Sequence, residues 1–180
     1  MRPFRGRFGA VLAIILLGGA AAVAAWLDPA PPPIAGNARA SDGDSFRLGD
    51  ERVRLLGIDA PEYAQTCDDR NGRQWPCGRT ARDRMAQLLK SGKVDCRPED
   101  HDQYGRLLAV CTVGGKDIAA TMVAEGLAIS SGRYWGEEQS ARSASKGIWA
   151  GGFDTPRHWR DDHPRPSSLF GWLGSLWPQT

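Results

Sequence analysis

Residues 38–58 read ARASDGDSFRLGDERVRLLGI. Apolar and polar residues alternate through Ser45–Leu48 and Arg52–Ile58, and the alternation is broken at Asp42-Gly43 and at Gly49-Asp50. Alternation with a period of two marks half-buried strands, and Asp-Gly or Gly-Asp between such runs is a strong hairpin signal. The stretch therefore predicts three short antiparallel strands in a meander: Ala38–Ser41, Ser45–Leu48 and Arg52–Ile58.

Working outward, residues 63–78 form a longer loop carrying two cysteines, and Gly78–Leu89 (GRTARDRMAQLL) puts Ala81, Met85, Leu88 and Leu89 on one helical face. Lys93–Arg97 and Arg106–Val113 predict two more strands around a turn at 98–105, and helices are expected over 117–125 and 137–146, each stopped by a glycine. The order βββ-α-ββ-α-α gives an α+β chain with a mostly β core. It fits a five-stranded OB-type barrel with three helices, one inserted between strands 3 and 4. Closure would remove the exposed edges of a small open sheet.

The flanks differ from this core. Arg2, Arg5 and Arg7 precede an uncharged run from Phe8 to Leu27, which reads as a signal peptide or an uncleaved signal anchor. Either version exports the remainder to the periplasm or the extracellular side, with residues 8–27 tethering it to a membrane if uncleaved. Residues 28–37 read as a Pro-rich linker, 38–152 as the folded domain, and 153–180 as a Pro- and Trp-rich tail. Within the tail, Phe153 and Trp159 are expected to fold back on the domain, and 167–180 forms either an interfacial helix or a loose end. Four cysteines in an exported chain permit disulfides. Three pairings are possible; the local one, Cys67–Cys77 with Cys96–Cys111, is preferred, closing one loop and stapling two neighbouring strands.

Bulk charge does not point to a nucleic-acid partner. The chain has 23 basic and 21 acidic residues; residues 1–40 hold Arg2, Arg5, Arg7, Arg39 and Asp28, so 19 basic face 20 acidic in the rest. Only local clustering can supply a basic surface.

Three stretches carry candidate chemistry: Asp42-Gly43-Asp44-Ser45, Arg54-Leu-Leu-Gly-Ile-Asp59-Ala-Pro-Glu62, and Asp102-Gln-Tyr104-Gly-Arg106. Each has an ordinary structural explanation: a turn, a capping box opening a helix, a hairpin loop. Together they read differently. Asp44 and Asp59 are hard oxygen ligands at the ends of adjacent strands, suited to calcium. Glu62 is placed to take a proton from water. Arg54, in an otherwise apolar strand, is expected to face an anion, with Arg106 approaching the same phosphate from a separate loop. Charge neutralisation with an activated water is what phosphodiester hydrolysis needs.

These stretches, in this order and spacing, resemble the thermonuclease (staphylococcal or micrococcal nuclease-like) family. The similarity runs from about Arg39 to Trp149 and includes Glu125-Gly-Leu-Ala128 and Lys146-Gly-Ile-Trp149. The resemblance implies an exported bacterial nuclease that cuts single-stranded DNA or RNA at the 5′ oxygen, leaving 3′-phosphate ends. It implies Ca2+ on Asp44, Asp59 and the backbone carbonyl of Ala60. It also implies phosphate contacts from Arg54 and Arg106, and Glu62 as general base. Tyr104 and Tyr134 are the expected substrate contacts and a monomer is the expected state. The sequence departs from the family's pattern at Ser45, Ala60 and Gln103. It departs most at 129–135, where Gly132 stands in place of one of two expected tyrosines and base stacking is weakened. Trp135 and Trp149 are further stacking candidates beside Tyr134, with Trp149 read as a core residue, and His101, His158 and His163 are read as surface residues. The competing reading is a non-catalytic OB-fold module that binds nucleic acid or protein at the cell envelope.

Overall fold

A computed structural model describes residues 9, 11, 13–20 and 32–164. The chain divides into two units, Met1–Pro31 and Pro32–Thr180. In the first, residues 13–20 are helical and exposed. Among the described residues no helix is long and apolar enough to cross a membrane. Much of the expected 8–27 apolar segment, and all of 167–180, lies outside the described residues.

In the second unit the strands are β1 (Ile34–Gly36), β2 (Ala38–Ala40), β3 (Ser45–Leu48), β4 (Glu51–Leu55), β5 (Ile58–Asp59), β6 (Cys67–Asp68), β7 (Gln74–Trp75), β8 (Val94–His101), β9 (Leu107–Val113), β10 (Lys116–Asp117) and β11 (Ile129–Ser130). The helices are α1 (Cys77–Lys90), α2 (Ile118–Ala124), α3 (Trp135–Ser143) and α4 (Pro156–Asp162), with a 3-10 turn at Gly147–Ala150.

The main sheet runs β1-β8-β9-β4-β3-β2, with β10 added to β9. Its two ends, β1 and β2, are separated in sequence by Asn37 alone, so one bent segment joins both edges and brings the sheet round on itself. This is the OB-type solution to the edge problem. The five expected barrel strands correspond to β2, β3, β4, β8 and β9, and α1 falls between the third and fourth of them.

Alternation decides which side chains fill the interior. Phe46, Leu48, Val53 and Leu55 from the meander meet Val94, Ala109, Cys111 and Val113, all buried. The helices close over them with Ala81 and Met85 of α1 and Ile118, Met122 and Val123 of α2. A second, smaller cluster gathers Cys67, Cys77 and Ile148, with Trp149 and Phe153 packed against it.

Several boundaries differ from expectation. The linker assigned to 28–37 contains β1, whose Ile34 pairs with Cys96; its apolar-small composition hides a strand that needs β8 to exist. The third meander strand breaks at Gly57, which takes φ +77°, and Ile58–Asp59 pairs instead with Ile129–Ser130. β8 continues to His101 through a register shift at Pro98/Asp100, which shortens the expected 98–105 turn. The third helix begins earlier, at Trp135, and ends at Ser143. The segment from Asp59 to Glu62, readable as a helix start, opens no helix. Most consequentially, the tail forms α4, capped by the Thr155 hydroxyl accepting from His158 N–H, with Pro156 in its first turn.

Both disulfides take the local pairing, Cys67–Cys77 and Cys96–Cys111. The second joins directly opposed residues of β8 and β9, and a loop of this size is worth about 3 kcal/mol in unfolded-state entropy. Replacing Cys96 and Cys111 together by Ala is expected to lower stability by about 2–4 kcal/mol in a urea titration. Peptide mapping without reductant is expected to recover the two local pairs.

Candidate active site

The site is assembled where the meander ends. Leu55 N–H donates to the Asp44 carbonyl at 2.9 Å, and Ser45 lies opposite Arg54. This registers the Asp42-Gly43-Asp44 turn beside the Arg54 side chain. Gly57 then reverses the chain so that Asp59 returns to the same guanidinium. Arg54 binds Asp44 Oδ2 through Nη1 at 2.7 Å and Asp59 Oδ1 through Nη2 at 2.9 Å. Both aspartates are buried, at 5% and 8% exposure.

Burial pushes the Asp44 carboxyl up to about 6 against the pull of Arg54, and the neighbouring charges of Asp59 and Asp42 add to the rise. Burial also opposes the charge on Arg54, but Asp44 and Asp59 outweigh it and hold that guanidinium above its ordinary value. The donor set is thus a desolvated cluster of hard carboxylate oxygens. Among the described residues no three or more His, Cys, Asp or Glu side chains gather as a ready metal cage. Two aspartates beside the Ala60 backbone fit a hard divalent cation such as Ca2+ better than a transition metal, because every donor is oxygen. Ala60 itself is buried, and its N–H donates to Asp44 Oδ2 at 3.4 Å.

Glu62 is set by a different device. Its backbone N–H donates to Oε1 of Gln65, a fully buried amide, at 3.1 Å. Gln65 Nε2 in turn donates to the Asp154 carbonyl at 2.6 Å, and its N–H returns to the Glu62 carbonyl at 2.7 Å. The loop lies tight against the start of α1: a Cβ on Gly78 would sit 1.7 Å from the Glu62 carbonyl oxygen.

The residue missed in the sequence is Arg160. From α4 its guanidinium reaches Asp59 Oδ1 at 3.1 Å, Asp59 Oδ2 at 3.0 Å and Glu62 Oε1 at 3.0 Å. Hydrogen bonds to Asp59, then to Glu62, outweigh burial and raise it further above its ordinary value. Nothing in the local sequence PRHWRDD distinguishes this arginine from its solvated neighbour Arg157.

Arg54, Glu62 and Arg160 line one open groove of about 1060 Å³ with Arg52, Arg106 and Tyr104. Arg106 is steadied by Asp102, which accepts its Nε–H at 2.7 Å and its backbone N–H at 2.9 Å. Burial pushes the Asp102 carboxyl up, but these bonds and the Tyr104 N–H hold it below its ordinary range. Four guanidiniums line the groove against the carboxylates of Glu62 and Asp102, a local excess of basic side chains in a nearly neutral chain. Tyr104 stands 64% exposed at the rim with the Arg106 guanidinium over its ring. Tyr63 and the stacked pair Trp159 and His163 line the groove as well. His163, read as a plain surface residue, belongs to this wall.

Tyr134 is placed elsewhere. It is absent from the groove lining, and its hydroxyl donates to Asp117 Oδ2 at 2.8 Å. Half-burial and that bond push its phenol well above the ordinary value. Asp117 also caps α2, so Tyr134 serves to tie α3 to α2. Trp149 packs edge-on against Phe153, at 5.0 Å between ring centroids, with Arg142 over its face.

Fold and site together define a small OB-type barrel carrying a buried acidic pair, a glutamate and arginines on one side. The family described as staphylococcal nuclease homologue matches residues 52–151, and the chain belongs to that family. It is 33% identical over 148 residues to the succinoglycan biosynthesis protein ExoI of Rhizobium meliloti (strain 1021), covering 78% of this chain and 74% of that one. It is 33% identical over 137 residues to the SPbeta prophage-derived endonuclease YokF of Bacillus subtilis (strain 168), covering 66% and 45%. It is 34% identical over 117 residues to the micrococcal nuclease of Shigella flexneri, covering 55% and 61%. The chain therefore spans less than two thirds of the last two relatives.

Two outcomes test this geometry. Gly78→Ala is expected to destabilise the protein by more than about 2 kcal/mol in urea, because the clash is with backbone; a neutral result would contradict the packing of the Glu62 loop. Asp44→Asn is expected to raise Tm in chelator at pH 7–8. The native carboxyl titrates near 6 against an unfolded value near 3.8, so its ionised form is penalised above about pH 6 and the penalty vanishes below about pH 4. A scan of Tm against pH for both proteins reads the difference, on the order of 1–3 kcal/mol at neutral pH and absent at pH 3.5.

Proposed function

We propose that the protein is a calcium-dependent nuclease that hydrolyses the 5′ P–O bond of DNA or RNA and leaves 3′-phosphate ends. The observation that carries this reading is the convergence of Glu62, Arg54 and Arg106 on one groove with Asp44 and Asp59 directly behind it. Family membership supports nuclease chemistry, and relatives named endonuclease and micrococcal nuclease support a nucleic-acid substrate.

Calcium, held by Asp44, Asp59 and the Ala60 carbonyl, would supply positive charge at the phosphate oxygens. The protein's own groups do the rest. Arg106 presents a planar fork from a loop stiffened by Asp102, and Arg54 reaches the same groove from β4. Two guanidiniums approaching from different elements fix the phosphate while charge builds on its oxygens. Glu62, held by Gln65 at its backbone and Arg160 at its side chain, accepts the proton of the attacking water.

The groove is open, and its exposed aromatic walls suit unpaired bases better than a duplex, so single-stranded DNA or RNA is the favoured substrate. Tyr104, Tyr63 and Trp159 offer stacking faces there, which replaces the contribution expected of Tyr134. Two disulfides and the basic, apolar N-terminus support export to the periplasm or cell exterior, with residues 8–27 as a membrane tether if uncleaved. A monomer suffices, since one chain supplies every group named.

The test is cleavage of heat-denatured DNA by the full-length protein, with calcium and with chelator, beside Glu62→Gln and Arg106→Lys. Cutting is expected only with calcium, falling by roughly 100-fold or more in Glu62→Gln. In Arg106→Lys it should fall sharply with stability nearly unchanged, because a point charge does not replace the fork. Strand binding without cutting would select the non-catalytic module instead.

A further inference from the structure

The family match ends at residue 151, yet the chain goes on to place a charged side chain in the site from α4, which begins at Pro156. We propose that Arg160 is a positioning residue: a guanidinium bridge that holds the Glu62 carboxylate beside Asp59 and sets the direction in which it faces the groove. This rests on the reading of Glu62 as the base and extends the site to α4.

An arginine on a short surface helix is ordinarily worth little, since exposed ion pairs contribute about 0–1 kcal/mol. Three observations separate Arg160 from that case. Its partners are mostly buried, each side chain at 12% exposure, and it meets both carboxylates at once. The contact with Asp59 is bidentate, which fixes the plane of the guanidinium. And α4 is docked: Gln65 holds the Asp154 carbonyl, Asp68 N–H donates to the Gly152 carbonyl at 2.7 Å, and Pro156 is buried.

Gln65 gives the arrangement its logic. One buried amide grips the backbone of Glu62 with its oxygen and the start of the α4 segment with its nitrogen. The backbone of the base and the helix carrying its side-chain partner are therefore registered to a single side chain. A glutamate has three side-chain torsions, and beside the like charge of Asp59 it would turn away without a cation spanning the two. Nη1 of Arg160 bridges Asp59 Oδ1 and Glu62 Oε1 and prevents that. Arg160 meets the Glu62 carboxylate itself, so it acts on the reaction through that side chain.

The experiment compares full-length wild type, Arg160→Ala, Arg160→Lys, Glu62→Gln and the Arg160→Ala/Glu62→Gln double variant on denatured DNA with calcium. Each is checked for an unchanged fold by near-UV circular dichroism and Tm. Arg160→Ala is expected to lower kcat about 10- to 100-fold with KM changed less than about 3-fold. Arg160→Lys, which folds if the alanine variant does not, is expected to recover only part of kcat. In the Glu62→Gln background the loss of Arg160 should cost less than about 3-fold more, because both act through one carboxylate.

An unchanged kcat in Arg160→Ala would overturn the inference. So would a raised KM with kcat kept, which marks a phosphate contact, or faster cutting, which marks a cation that blocks the site. Losses that multiply in the double variant would overturn it too. Full activity in Glu62→Gln would remove the base itself and the inference with it. An inactive Glu62→Gln beside a fully active Arg160→Ala would remove the inference alone.

Discussion

Asp44 and Asp59 are both buried against one guanidinium, and two desolvated carboxylates cost several kcal/mol unless cations answer them. Arg54 answers both from the strand between them in sequence, and Arg160 answers Asp59 a second time from the far end of the domain. Much of the surrounding structure exists to make that juxtaposition repeatable. The β3–β4 register sets Ser45 opposite Arg54 and so brings Asp44 beside it, the Gly57 reversal returns Asp59, and a barrel closed through Asn37 gives these short strands a rigid base. The price is visible in Asp44, which keeps an acidity far weaker than an ordinary aspartate even beside an arginine.

The second constraint is a close approach of backbones. The Glu62 loop can lie against α1 only because residue 78 has no side chain, and the Cys67–Cys77 bond holds the two ends of that contact together. Gln65, buried inside the loop so closed, is one of the few buried polar side chains of the domain, and each end of its amide is satisfied. Scaffold and site are thus continuous: a hairpin, a disulfide and one amide connect the general-base candidate to α4.

Local pattern made much of this legible. The meander, the inserted helix and both later strands follow from alternation and turn chemistry, and the candidate residues Asp44, Arg54, Asp59, Glu62 and Arg106 stand out only when their three short stretches are read together, Arg54 alone being a charge in an apolar strand. What escaped detection is what only three dimensions create. β1 is three residues without alternation, which form a strand because β8 offers an edge. The β6–β7 hairpin has two residues a side, and its turn is held by Asp69, whose carboxylate accepts from the N–H groups of Asn71 and Arg73. α4 carries Pro, Arg and Asp with little apolar periodicity, so its single buried Pro156 and its Thr155 cap gave a weak signal. Tyr134 looked like a substrate contact by its place along the chain, yet its hydroxyl is spent on the cap of α2. Basicity was hidden in the same way, because the arginines that gather on one groove come from separated stretches of a nearly neutral chain.

The bridge from Arg160 to Asp59 spans 101 positions of sequence. On a ribosome adding residues at about 5–20 per second, the acidic pair emerges roughly 5–20 seconds before the cation that completes it. The barrel strands, all upstream of residue 114, can pair during that interval, while the Glu62 side chain still lacks its partner from α4. Assembly of this domain therefore has a built-in sequence in time: the container first, the fully ordered carboxylates only once α4 has been made and docked.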